Sequence, residues 1–126
     1  MTKIELKAGE RIDQIAASNV QIIQSREVFS FSIDAILLAR FPRLPKKGKI
    51  VDMCAGNGAV GLFASSMTNA YITEIELQER LAEMAQRSIK LNGLEEQMTV
   101  INDNLNKSLD YINTSTVDLI FCNPPY

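Results

Sequence analysis

The residues with the clearest chemical potential are a glycine run and the acids spaced around it. Val51-Asp52-Met53-Cys54-Ala55-Gly56-Asn57-Gly58-Ala59-Val60-Gly61 carries the spacing G-x-G-x-x-G. Glycine is useful in such a run because the chain must turn sharply and let backbone approach a ligand that a Cβ would block. Cys54, Ala55, Gly56, Asn57 and Gly58 are therefore expected to line a ligand. Glu76 follows Gly58 by eighteen residues and Asp52 by twenty-four, and a carboxylate ending a second strand can accept both ribose hydroxyls of an adenosine cofactor. Glu74, two residues earlier on the same strand face, is the alternative acid. The glycine pattern alone is weak, since dinucleotide enzymes share it and a strand-to-helix turn can need glycine for packing only. At the other end stands Asn123-Pro124-Pro125-Tyr126. There an amide oxygen can accept a hydrogen bond, two prolines fix φ and donate no N–H, and an aromatic face can receive a planar group.

Positioning these residues requires strands that end where the chemistry begins. From Lys49 onward short apolar runs alternate with helical stretches, the pattern of parallel strands joined by crossover helices. Strands are expected over Lys49–Met53, Ala70–Ile75, Met98–Asn102 and Val117–Cys122. Helices are expected over Ala59–Ser66 and Gln78–Leu91, the second stopped by Asn92-Gly93, and a further one over Leu105–Ile112. The glycine run then joins the first strand to a helix, Glu76 follows the second strand, Asp103 the third and Asn123 the fourth. Before Lys49, Val20–Gln24 and Glu27–Phe31 are expected to form a hairpin, and Asp34 to cap a helix over Ala35–Phe41 closed by Pro42 and Pro45. The chain thus divides into a hairpin-and-helix extension over 1–48 and an α/β core over 49–126.

A chain of 126 residues, 46% hydrophobic and 22% charged, has room for a real core and the composition of a soluble protein. No apolar run reaches eighteen residues and no signal-like stretch follows the N-terminal charges, so a cytoplasmic setting with no membrane partner is expected. With no histidine in the chain, zinc sites and histidine acid–base catalysis are poor hypotheses, and no metal is expected. Cys54 and Cys122 end two expected strands and read as small apolar residues rather than a disulfide. Charge is uneven: residues 1–49 hold nine Lys/Arg against five Asp/Glu, and residues 50–126 four against ten. Arg40, Arg43, Lys46, Lys47 and Lys49 fall in one ten-residue stretch without an acid, which suits either phosphate contact or a solvated linker.

Taken together, Asp52 before the glycine loop, Asp103 after the third strand and Asn123-Pro124-Pro125-Tyr126 after the fourth resemble the class I methyltransferases that use S-adenosyl-L-methionine. The last motif resembles the N-P-P-Y of those acting on exocyclic or amide nitrogens. The resemblance implies a Rossmann-like fold, with Asp52 near the methionine end, Glu76 on the ribose, and Asp103 on the adenine with Asn104 beside it. It also implies that Asn123 and a neighbouring backbone carbonyl accept the two N–H bonds of the target nitrogen while Tyr126 stacks on the base. A nitrogen whose lone pair is delocalised becomes nucleophilic when such acceptors make it more tetrahedral. Transfer would be in-line displacement aided by proximity, without a metal.

Over nearly its full length the chain is similar to the bacterial tRNA adenine-N6 methyltransferases of the valine-tRNA type and their small-domain relatives. Glu10–Asp13, Ile22–Gln24 and Phe29–Ala39 suggest that branch, and in relatives this segment covers the cofactor, making Phe31 and Asp34 possible neighbours of it. The expected function is N6 methylation of adenine in tRNA, with nucleic acid as partner. The alternatives are a release-factor glutamine methyltransferase, another rRNA or DNA base N-methyltransferase, or a non-catalytic nucleotide-binding domain. Against the family pattern the chain ends at Tyr126, so the expectation is a fold truncated after its fourth parallel strand. Such a piece should hold cofactor, turn over little, and self-associate through an exposed sheet edge.

Overall fold

Most of the chain is arranged as a parallel sheet with helices on one face and a separate hairpin packed outside them. In a computed structural model the described residues are 4–16, 18–27, 33–104, 106–107, 112 and 116–123. The elements in order are β1 (Glu10–Gln14), β2 (Gln21–Ser25), α1 (Ile33–Arg40), β3 (Lys49–Asp52), α2 (Ala59–Ser65), β4 (Tyr71–Glu76), α3 (Glu79–Leu91), β5 (Met98–Asn102) and β6 (Leu119–Phe121). The four parallel strands stand in the order β5-β4-β3-β6. The four parallel strands expected from Lys49 onward are all present, each within two residues at either end. The chain has the α/β architecture that the alternation of apolar runs implied.

Both crossovers, β3–α2–β4 and β4–α3–β5, step the same way along the sheet. Right-handed connection of this kind puts the two helices on one face. Ile50 and Ile72 on that face share a core with Leu62 and Phe63 of α2, Ile89 of α3 and Met98 of β5. Helix α2 is buried from Ala59 through Ala64 because α1 covers it from outside. Helix α3 is amphipathic, burying Leu81, Met84, Ala85 and Ile89, as the helical spacing predicted. Gly93 at φ +67° ends it, in the left-handed position that favours glycine. The opposite sheet face presents Val51, Thr73, Thr99 and Ile101, with Ile112 and Val117 lying across them.

Two expectations need correction. Gln21–Ser25 is a hairpin strand, but its partner is the preceding segment Glu10–Gln14, antiparallel, with Ile12 opposite Ile23. Glu27 lies in a turn, and residues 28–31, expected as the partner, lie outside the described residues. The alternation Arg11, Ile12, Asp13 is too polar to stand out as a strand by itself. Asp34 does not cap α1 from outside but stands in its first turn, since the helix begins at Ile33. There a carboxylate still complements the helix dipole. Most of the expected helix over Leu105–Ile112 lies outside the described residues.

Candidate functional site

The site assembles at the carboxyl ends of β3, β4, β5 and β6. After Asp52 the chain leaves β3, and Met53 N–H still donates to Phe121 O at 2.9 Å while Ala55 N–H donates to Ile75 O at 3.0 Å. The loop is thereby pinned to the strands on both sides. Gly56 at φ +58° and Gly58 at φ +91° take left-handed conformations, the backbone reason for glycine at both positions. Gly58 N–H donates to Ala55 O at 2.9 Å and the chain enters α2.

Glu76 closes the other side of the loop. One carboxylate oxygen accepts Gly56 N–H at 2.7 Å and the other accepts Gln78 N–H at 2.8 Å. A carboxylate has about four acceptor positions, so each oxygen keeps one for a ligand. Glu76 therefore does two things at once: it fixes the glycine loop, and it remains an acceptor at the strand ends. Asn102, unremarked in the sequence, donates from Nδ2 to Glu76 O at 2.9 Å and Leu77 O at 3.0 Å, holding the backbone on which Glu76 sits. A carboxamide ending a strand is the signal that would have marked it.

Beneath the loop lie two acids of a different character. Asp52 and Glu74 are register partners on adjacent strands, both buried, and no hydrogen bond of good geometry reaches any of their four oxygens. Burial pushes the Asp52 carboxyl up to about 7, with the Glu76 charge adding to the shift and the nearby Cys54 N–H opposing it. Glu74 is held well above the ordinary carboxylate range, first by burial and then by the Asp52 charge. A Cβ at Gly58 would come within 2.8 Å of one Glu74 oxygen, and one at Gly61 within 2.5 Å of the other. Glu74 thus shares the side of β4 that bears Glu76 but fills the space under the loop.

The remaining expected residues are divided. Asn57 is buried and turned away, donating from Nδ2 to Ile23 O of the hairpin at 3.2 Å. Ala55 is buried. Cys54 is half-buried with its thiol facing that of Cys122; burial first, then Cys122, pushes it up to about 11. Asp103 is half-buried beyond β5, its Oδ1 accepting Asn104 N–H at 2.7 Å. The Asn104 side-chain oxygen accepts Asn106 N–H at 2.9 Å. Asn123 is half-buried directly after β6. Pro124, Pro125 and Tyr126 lie outside the described residues, as does Phe31, and Asp34 is exposed on α1.

The strand order β5-β4-β3-β6 gathers these positions. Asp103 and Glu76 lie on one side of the glycine loop and Asn123 on the other, with strands about 4.8 Å apart. Around the loop the fixed charges are carboxylates. The carboxyl ends of parallel strands are where open α/β sheets bind ligands. A cationic ligand with an adenosine-like end suits this setting; a pyrophosphate would face Asp52, Glu74 and Glu76 at a loop whose Gly56 N–H is already taken. Among the described residues no group of three His, Cys, Asp or Glu side chains is arranged to hold a metal ion, and no helix is long and apolar enough to cross a membrane.

Known proteins resemble the chain in sequence and in fold. The chain is 31% identical over 98 residues to the tRNA1(Val) (adenine(37)-N6)-methyltransferase of Shewanella sediminis, covering 75% of this chain and 40% of that one. It is 31% identical over 96 residues to that of Aliivibrio fischeri, with 75% and 40% covered. The chain spans about two fifths of the length of these curated relatives. Among solved structures, P. horikoshii TYW2 in complex with MeSAdo superposes with a TM-score of 0.72 at 19% identity, covering 90% of this chain and 42% of that one. Methanocaldococcus jannaschii Trm5 in complex with adenosine gives 0.69 at 18%, with 98% and 37% covered. These likenesses show a Rossmann-like methyltransferase fold. Residues 32–126 match the family described as Conserved hypothetical protein 95, and the chain belongs to that family.

Proposed function

We propose that this chain is the cofactor-binding part of an S-adenosyl-L-methionine-dependent N-methyltransferase acting on adenine N6 in tRNA, in a cytoplasmic setting. The observation that carries the reading is the double engagement of Glu76. It holds the glycine loop through Gly56 while keeping an acceptor on each oxygen. The family relatives, named as tRNA methyltransferases, support the substrate class.

The residues present fit this cofactor. Its ribose diol matches the two remaining acceptor positions of Glu76, and its sulfonium and ammonium charges suit a loop underlain by the unpaired oxygens of Asp52. Asp103 and Asn104, following β5, would meet the adenine edge, and Cys54 to Gly58 would flank the methionine end. When bound, the cofactor supplies a methyl group on a cationic sulfur. Asn123 would accept one N–H of the target amine and so orient its lone pair. Pro124 and Pro125 would keep the adjacent backbone carbonyl fixed as a second acceptor, and Tyr126 would stack on the base. The prolines have no N–H with which to compete for those acceptors.

Calorimetry with S-adenosylmethionine, with NAD as the competitor, tests the reading. We expect binding of the first, weakened at least tenfold in Glu76→Ala. Nucleoside mass spectrometry of tRNA incubated with protein and cofactor should detect N6-methyladenosine. Preference for NAD, or unchanged S-adenosylmethionine affinity in Glu76→Ala, would overturn the assignment.

A further inference from the structure

The basic stretch identified in the sequence lies on the rim of the sheet opposite the glycine loop. Lys46 O accepts Asn69 N–H at 3.1 Å, Gly48 O accepts Tyr71 N–H at 2.8 Å, and Thr68 Oγ1 donates to Pro45 O. Those partners precede or begin β4, so residues 45–48 run beneath the amino ends of β3 and β4, with residues 41–44 leading in from α1. Glu76, Gly56 and Asn123 stand at the carboxyl ends. Four to six strand residues separate the rims, or about 13 to 20 Å.

At this rim Arg43, Lys46 and Lys47 are exposed, and Phe41, closing α1, is 91% exposed. None of these cations forms an ion pair among the described residues, whereas Arg40 is committed, its guanidinium 5.3 Å from the centre of the Phe63 ring. The nearby acids are placed so as not to neutralise them. Asp118 accepts the backbone N–H of Lys49 at 2.9 Å. Glu95 and Glu96 share the rim but precede β5, on the far side of β4. The result is a corner of positive charge around an open aromatic ring, bounded by Asp118 beside Lys49 on one side and by Glu95 and Glu96 across β4 on the other. Cations tracking a phosphate backbone beside an aromatic face are what unpaired nucleic acid binds.

We propose that this corner is a second RNA-contacting surface, with Arg43, Lys46 and Lys47 on phosphates and Phe41 stacked on an unpaired base. The proposal rests on the reading of the site as an RNA N-methyltransferase. The target base belongs at the carboxyl rim near Asn123, so an RNA engaging both must span the sheet. A folded RNA does so; a nucleoside or dinucleotide reaches only one rim. Substrate selection thereby includes a feature distant from the methylated base.

The test is fluorescence anisotropy of the full chain with labelled tRNA across 50–200 mM salt, alongside calorimetry of S-adenosylmethionine. In Lys46→Ala/Lys47→Ala the slope of log affinity against log salt should become shallower by about 1.5. In Phe41→Ala affinity should fall about tenfold with little change of slope. A labelled dinucleotide, which reaches only one rim, should lose less than tRNA in both. All these side chains are exposed, so cofactor affinity should stay at the wild-type value. Unchanged tRNA affinity and slope would overturn the proposal, as would a wild-type chain that ignores tRNA but binds anionic phospholipid vesicles through these residues. If S-adenosylmethionine fails to bind at all, the proposed function falls, and the tRNA data still decide the basic corner.

Discussion

Two regions press on the glycine loop, the edge of β2 from outside and the Asp52–Glu74 pair from beneath, and they treat buried polar groups in opposite ways. Along β2 the groups facing away from β1 belong to Gln21 and Ile23. Asn92 accepts Gln21 N–H at 2.9 Å and donates to Gln21 O at 2.7 Å. Ser88 Oγ accepts Ile23 N–H at 2.9 Å, and Asn57 donates to Ile23 O at 3.2 Å. Three side chains thus do for this edge what another strand would do. Under the loop, four carboxylate oxygens are buried without a hydrogen bond of good geometry. The first arrangement fixes the hairpin; the second costs stability and leaves acceptor oxygens without partners beneath the loop. A protein tolerates such a cost where a site uses it.

The largest effect is expected where the satisfied region is broken. Arg87 on α3 binds both oxygens of Glu10 on β1 at 2.7 Å and also pairs with Glu83. Glu10 is almost wholly buried in that pair, at 1% side-chain exposure. Removing one partner leaves the other charge buried, which costs about 3 kcal/mol. Arg87→Ala should therefore lower unfolding stability by about that amount in urea titration. Arg87→Lys should recover only part of it, because an ammonium cannot make the bidentate fork. A loss below about 0.5 kcal/mol would show that the ion pair does not hold the hairpin.

The next effect has the opposite sign. Glu74→Gln keeps the shape but removes an acid that must hold a proton to be buried, and should raise stability at pH 8 by about 2 kcal/mol. The two regions also respond oppositely to pH. Asp52 is raised from 3.8 to about 7, so the folded state holds its proton more tightly than the unfolded one. Its contribution is fully present below pH 3.8 and is lost as pH rises through about 7. The Glu10 carboxyl is lowered from 4.5 by Arg87, so its contribution is present above that value and lost as pH falls. Wild-type thermal midpoints should fall on both sides of the mildly acidic range. Glu74→Gln should flatten the alkaline limb and leave the acid limb alone. A midpoint that climbs steadily to pH 8 would contradict the raising of the Asp52 and Glu74 carboxyls by burial.

The sequence made one of these regions far more legible than the other. Strand ends, glycine positions and the order of the acids follow from local rules of period and turn, so the parallel core and the rim bearing Glu76 and Asn123 were readable in advance. The polar cover of β2 was not, because Ser88 and Asn92 are separated from Ile23 and Gln21 by 65 and 71 residues. Nothing local distinguishes a serine that caps a strand edge from one that faces water. The same limit affected Asn57, whose place in the glycine run suggests a ligand while its side chain reaches back to Ile23. Glu74 was visible as an acid on the right strand, yet only the close approach of Gly58 and Gly61 reveals that it lies under the loop rather than at its mouth.

Asn57 and Ser88 offer the finest test of the contrast, because they meet the same residue from different elements. Both bonds to Ile23 are buried, and losing either leaves one backbone group of Ile23 without its partner, at about 1 to 2 kcal/mol. On stability alone the two alanine variants should look alike. They should separate in cofactor binding, since Asn57 belongs to the glycine loop and Ser88 to α3. Asn57→Ala frees the loop to sample other conformations, and ordering it again on binding should weaken S-adenosylmethionine affinity by about fivefold. Ser88→Ala leaves the Asn57 bond and the Glu76 bond to Gly56 intact, so its affinity should stay within twofold of wild type. The measurement is calorimetry on both variants at a temperature where each is folded. Equal losses of affinity would mean that the hairpin as a whole, and not the Asn57 bond, sets the loop; no loss in either would mean that Glu76 holds the loop unaided.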